Sequence, residues 1–160
     1  MIKKSSEMAL DDVDKAILKA LQADAGLSNV ELAKRVKLSP PATHARLRRL
    51  EKDGYIRGYT AIVDREKAGY DLLCFIHISM QAHQFEQVER FRQLVRKMPE
   101  VLECHHITSE YDYLLKVALR NRKDLERFAV DKLTPIPGVA RIHTSVVFTE
   151  VKSTTALPLD

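Results

Sequence analysis

Residues 28–54 read SNVELAKRVKLSPPATHARLRRLEKDG, and two helix starts are written into them. Ser28-Asn29-Val30-Glu31 is a capping box, with Ser28 capping the helix and Glu31 reaching back to it. The helix it opens carries Leu32, Ala33 and Val36 inward. Leu38-Ser39-Pro40 follows at once: Ser39 is an N-cap and Pro40 suits the first helical position. The third helix is predicted from Ser39 to Asp53, with Gly54 ending it. Upstream, a helix opening at Asp11 or Asp12 places Val13, Ile17, Leu18 and Leu21 at helical spacing. Its acidic start suits a helix N-terminus, and Gly26 marks its stop. Three short helices with a tight turn between the second and third match the helix-turn-helix pattern.

Projected at 100° per residue, the third helix sorts into two sides. Thr43, Leu47 and Leu50 share one narrow sector and are expected to face a small core. Pro41, Ala45, Arg48 and Lys52 lie opposite, with His44 and Arg49 at the margins of that sector. Arg46 lies nearer the core flank. Small residues near the N-terminal end permit close approach to a base edge, and arginines offer bidentate donors to guanine or grip phosphates. A solvated basic face is the plain alternative.

Charge is distributed in the same sense. Lys34 to Arg57 holds eight basic and two acidic residues, whereas residues 61–160 hold fourteen of each. The net charge of +4 is therefore concentrated where a polyanion would be met. The rest of the composition, 45% hydrophobic and 30% charged, is that of a soluble globular protein. No apolar run approaches the length of a membrane span, and Met1 to Leu10 lacks the apolar stretch of a signal peptide. The expected location is cytoplasmic, without membrane attachment. Cys74 and Cys104 both lie in apolar, strand-like segments and are expected as buried, reduced thiols.

Tyr55 to Val63 alternates and is β-rich: a wing beside the helices, or a connector strand. Beyond it the rhythm is β-α-β-β-α-β. Strands are predicted over Leu72–Met80, Val101–Thr108, Tyr113–Leu119 and Val139–Val151. A helix over Phe85–Met98 carries the stripe Phe85, Val88, Phe91, Leu94, Val95 and Met98. Ser109 to Asp112 forms a hairpin loop. Asn121 caps a second helix, with Leu125, Phe128, Ala129 and Leu133 inward and Pro135, Pro137 and Gly138 breaking it. Right-handed crossovers make this a ferredoxin-like sandwich, with both helices on one face of an antiparallel sheet. Too little chain follows Val151 to cover the other face, so a partner subunit is expected there. An open sheet binding a ligand or RNA is the alternative. The fold class is α+β, with a helix-turn-helix domain over residues 1–60 and a ferredoxin-like domain over 61–160.

The stretches Leu38-Ser39-Pro40-Pro41-Ala42 and Arg46-Leu47-Arg48-Arg49-Leu50-Glu51 resemble the Lrp/AsnC family of bacterial and archaeal regulators. Glu110-Tyr111-Asp112-Tyr113-Leu114-Leu115-Lys116 and the Pro137-Gly138-Val139 turn resemble that family's effector domain. The match runs in order from about Asp11 to about Lys152. It implies a winged or plain helix-turn-helix joined by a hinge strand to an amino-acid-binding domain. It also implies dimers built through the effector sheets, often assembled further to tetramers or octamers. The DNA contacts it implies are Ser39, Pro41, Ala42, His44, Ala45, Arg48 and Arg49, with Asn29 toward a phosphate; Lys52 joins them from the projection. Arg46 matches a position the family keeps basic, but its place near the core flank gives it a structural or phosphate role.

The effector site implied by analogy comprises Ser109, Glu110, Tyr111, Asp112, Thr134, Pro135, Ile136, Val147, Phe148 and Thr149. The family commonly has glycine where Ser109 stands, which leaves a different ligand, or none, open. The resemblance thus implies a transcriptional regulator, not an enzyme. Its partners are double-stranded DNA and a small molecule of the amino-acid class, with no cofactor. The other class weighed is a small-molecule-binding or catalytic module with a vestigial helix-turn-helix; RNA binding ranks last, because the strands lack a run of exposed aromatics with Arg or Lys.

Within Cys104-His105-His106 only Cys104 and His106 point to one side of a strand, too few for a metal without help. Glu110 and Asp112 could pair as catalytic carboxylates, but no nucleophile, phosphate loop or metal motif accompanies them.

Overall fold

The computed structural model describes residues 10–81 and 85–160. Residues 1–9, read above for a leader, lie outside it. The chain forms two compact units: Met1–Ile62 with Lys152–Asp160, and Val63–Val151.

In the first unit, helices α1 (Asp12–Ala23), α2 (Asn29–Val36) and α3 (Pro40–Lys52) start where capping chemistry permits. Asp11 and Asp14 form a reciprocal capping box at α1, as Ser28 and Glu31 do at α2. The Ser39 side chain accepts the Ala42 N–H at α3, with Pro40 in the first turn. The turn between α2 and α3 is made by one left-handed residue, Lys37, whose N–H closes on the Ala33 and Lys34 carbonyls. Ile17, Leu32 and Leu50 meet at the centre, with Leu18, Val36 and Leu47 packed around them.

Two polar side chains are buried with that core. Thr43 donates its hydroxyl to the Ser39 carbonyl, 3.0 Å away. Asp14 is 1% exposed and pairs with two arginines of α3: Arg46 Nη1 donates to Oδ1 at 2.9 Å, and Arg49 Nη2 donates to Oδ2. Arg46 also pairs with Asp11. The Asp14 amide and the Arg46 guanidinium hold the Asp11 carboxyl below its ordinary pKa. Residues 152–160, which the sequence places with the second half, lie on this unit. The Leu157 carbonyl accepts from Gln22 Nε2 at 3.1 Å, and the Leu157 N–H donates to Gln22 Oε1 at 2.6 Å.

The second unit is a four-stranded antiparallel sheet in the order β2-β3-β1-β4, made of β1 (Leu72–Met80), β2 (Val101–His106), β3 (Tyr113–Leu119) and β4 (Val139–Val146). Helix α4 (Phe85–Val95) follows β1; helix α5 (Arg122–Arg127), capped by Asn121, runs into a π-helical turn at Phe128–Leu133. Cys74, Ile76 and Ile78 of β1 and Tyr113, Leu115 and Val117 of β3 share one face, where Phe91, Val95, Phe128 and Leu133 cover them. Phe75, His77, Leu114, Lys116 and His143 face the other way by strand alternation, and none belongs to that core.

The structure differs from expectation at several places. Residues 55–63 form neither wing nor strand: a strand needs a ladder, and this segment has none, leaving Ile62 95% exposed. Strands β2 and β4 stop short, at His106 and Val146, and α4 ends at Val95. Phe85, placed in the inward stripe, is 79% exposed. Cys104 is exposed because β2 is an edge strand, whereas Cys74 is buried as expected. Among the described residues no helix is long and apolar enough to cross a membrane.

Asp14→Asn keeps the shape of the buried side chain but removes its charge from between Arg46 and Arg49. The expected loss is about 2 kcal/mol in the unfolding of the helical unit, read by urea denaturation followed by far-UV circular dichroism.

Candidate functional site

The outer side of α3 is assembled by what its inner side is bound to. With Thr43 and Leu50 buried, residues Pro41, Ala42, His44, Ala45, Arg48 and Lys52 are left exposed together. The Arg48 side chain is 70% exposed and pairs with Glu51, 3.3 Å away within the same helix. Ser39, also exposed, stands at the N-terminal end of this face. Small residues thus lie at the front of the helix and cations along it, which suits close approach to a groove and grip on phosphates.

Two residues assigned to DNA sit differently. Arg49 is drawn to the buried Asp14, so its guanidinium serves as a strut between α3 and α1. Asn29 donates its amide to the Pro40 carbonyl at 2.9 Å, and its Oδ1 is buried with no hydrogen-bond partner among the described residues. It ties the start of α2 to the start of α3 instead of reaching outward. Arg46 has the structural role its place near the core flank suggested. The sequence reading left out Lys37, an exposed cation in the turn beside the start of α3. Its place between the two helices was the signal for it.

In the second unit, the Ser109–Asp112 loop is closed by its own residues. Ser109 Oγ accepts from the Tyr111 N–H and donates to the Tyr111 carbonyl, both at 3.1 Å. Asp112 turns inward: Oδ2 accepts the Met80 N–H at 2.7 Å, and its own N–H donates to the Ile78 carbonyl. It is a loop cap, so a catalytic pairing with the exposed Glu110 is not formed. Tyr111 lies over the open sheet face, its ring 5.0 Å from His77 and 6.1 Å from His143, with Arg141 above it.

Thr134 closes the π-helical turn on the Ala129 carbonyl, Pro135 is exposed and Ile136 is buried. The chain then reaches the same end of β1 as the loop, where the Gln81 N–H donates to the Gly138 carbonyl at 2.7 Å. Gly138 has φ +88°, and a Cβ there would stand 2.6 Å from Gln87 Oε1, so this turn requires glycine. Val147, Phe148 and Thr149 are not brought to that end. The Val147 N–H donates to the Leu73 carbonyl, seven residues along β1 from Met80. At the rise of a strand that is about 23 Å. The antiparallel pairing of β1 with β4 imposes this separation.

Among the described residues no group of three or more ligating side chains gathers for a metal. Cys104 and His106 do share a face, but His106 stacks on Tyr113 at 5.1 Å.

Comparison with known proteins bears on both units. Residues 73–157 match the Lrp/AsnC ligand-binding domain, and residues 10–57 match a winged helix-turn-helix DNA-binding domain. The leucine-responsive regulatory protein of Escherichia coli K12 is 39% identical over 155 residues, covering 97% of this chain and 94% of its own. The chain belongs to the Lrp/AsnC family. The transcriptional regulator AzlB of Bacillus subtilis is 36% identical, covering 94% of this chain and 96% of its own. A crystal structure of a transcriptional regulator from Neisseria meningitidis in complex with L-methionine superposes with a TM-score of 0.92 at 39% identity, covering 95% of this chain and 98% of its own. This Lrp/AsnC protein is accordingly a DNA-binding transcriptional regulator with a ligand-binding domain, and not an enzyme.

Asp112→Ala leaves the Met80 N–H without its acceptor. The expected cost is about 1–3 kcal/mol of stability in the sheet unit, together with faster amide hydrogen exchange at Met80.

Proposed function

We propose that this Lrp/AsnC regulator, a cytoplasmic protein, reads DNA through Ser39, Pro41, Ala42, His44, Ala45, Arg48 and Lys52 of α3 and its cap, with Lys37 on the flanking phosphates. One observation carries this reading: with Arg46 and Arg49 drawn to Asp14, Arg48 and Lys52 are the cations of α3 left facing outward. Arg48→Ala and Lys52→Ala are each expected to weaken binding to an operator fragment. Each is also expected to lower the slope of log K against log salt by about 1 per lost phosphate contact. Fluorescence anisotropy over a salt series measures both. Slopes unchanged from the parent would remove α3 as the DNA-facing helix.

We infer that the ligand of the sensor unit is an amino acid, taken at the loop end of the sheet by Ser109, Glu110 and Thr134–Ile136. Methionine in the Neisseria relative supports that class, and the exposed carboxylate of Glu110 offers a partner for an ammonium group. Ser109 sets the entrance, its hydroxyl already turned onto Tyr111.

The regulator assembles through the sheet face that carries Phe75, His77, Leu114 and His143. That face has apolar and aromatic side chains but lies outside the unit's own core. A second copy laid on it would complete a sandwich and make a homodimer, the unit from which tetramers or octamers grow. Paired recognition helices then call for a partly palindromic operator. Phe75→Lys sets a charge in the middle of that face, beside Lys116 in the register. The expected result is a monomer by sedimentation velocity where the parent sediments as a dimer or larger. A variant that sediments as the parent does would place the interface elsewhere.

A further inference from the structure

The end of the sheet opposite the Ser109–Asp112 loop holds a cleft of about 280 Å³. Its floor is apolar and buried, with Leu119 at the end of β3 and Phe128 at the start of the π-helical turn. Charged groups stand on its walls, and most of them are matched. Arg127 pairs with Asp124, and Lys132 donates to Glu100 Oε1.

Two groups are left over. Glu100 Oε2 is buried and has no hydrogen-bond partner among the described residues. Burial pushes the Glu100 carboxyl up, but Lys132 and a backbone hydrogen bond outweigh it and leave the pKa below the ordinary value. The oxygen without a partner therefore belongs to an ionised side chain that is 23% exposed as a whole. The second group is Arg120, exposed just past the end of β3. Its guanidinium lies over the Tyr70 ring, 5.4 Å from the centroid, and makes no ion pair among the described residues.

A simple anion would satisfy Arg120 but meet Glu100; a simple amine would satisfy Glu100 but meet the surrounding cations. A zwitterion satisfies both, with its side chain on Leu119 and Phe128. The volume suits a molecule of amino-acid size. Phe128 and Lys132, one helical step of four apart, line the same cleft from the π-helical turn, and such turns recur at functional sites.

We propose that this cleft is a second amino-acid site, distinct from the loop. Glu100 Oε2 accepts from the α-ammonium group, and the Arg120 guanidinium holds the α-carboxylate. The site goes beyond the proposed loop ligand and does not depend on it.

The test is a titration of the ¹⁵N-labelled full chain with L-leucine and L-methionine at millimolar concentration, following amide resonances. Saturable shifts are expected at Leu119, Arg120 and Phe128. They should weaken at least about tenfold in Arg120→Ala, and equally in the unsubstituted protein when the probe is isoamylamine or 3-methylthiopropylamine, which lack the carboxylate. Arg120→Lys, which keeps the charge without the fork, should fall between. Glu110→Gln should leave these shifts intact. Shifts confined to Ser109–Asp112 would overturn the second site and leave the loop reading standing. No saturable shift at Leu119–Phe128 with either amino acid, or equal binding of the decarboxylated probes, would also overturn it.

Discussion

One buried carboxylate decides which side of α3 faces outward. Asp14 sits one turn into α1, 1% exposed, and a lone charge at that depth would be costly. It is sustained because α3 delivers Arg46 and Arg49 to it, each still a third exposed and so still partly hydrated. The pairings fix the rotation of α3 about its own axis. With Thr43 and Leu50 also turned inward, the opposite side has no choice but to be Pro41, Ala45, Arg48 and Lys52. Hydrophobic contact alone is non-directional and would hold a three-helix core of this size less specifically. A buried ion pair is weak evidence for stability, but here its geometry determines which cations remain available to a polyanion.

The sheet unit divides its faces by the same rule of alternation. Even-numbered residues of β1 and odd-numbered residues of β3 enter the core, which leaves Phe75, His77 and Leu114 on the far face. His77 and His143 are direct cross-strand partners, and Tyr111 reaches over them from the loop. The aromatic residue of the Ser109–Asp112 loop thus rests on the sheet face that the unit's own core leaves open. A ligand that changed the loop would act on that face without any long path through the protein.

Most of this was legible in the sequence because capping and alternation are local. Ser28, Ser39 and Asn121 announced helix starts that the structure has. The inward face of α3 followed from periodicity alone. What was not legible depended on partners far along the chain. Arg49 sits at the margin of the outer sector in a projection, and only the position of Asp14, thirty-five residues away, turns it inward. Asn29 looked like a phosphate ligand until the start of α3 was placed against it. Val147–Thr149 were grouped with the loop by family analogy, yet antiparallel pairing puts them at the other end of β1. Residues 55–63 alternate as a strand would, but a strand exists only with a ladder, and this segment has none.

The C-terminal segment belongs to the helical unit, although the sheet unit precedes it in the chain. The helical unit is connected to the sheet unit twice, at residues 62–63 and again at 151–152, because Lys152–Asp160 returns to α1. The return is specific: Gln22 and the Leu157 backbone exchange two hydrogen bonds, as neighbouring strands do. A ligand shifts DNA binding only by the difference in its affinity for the arrangements between which it chooses.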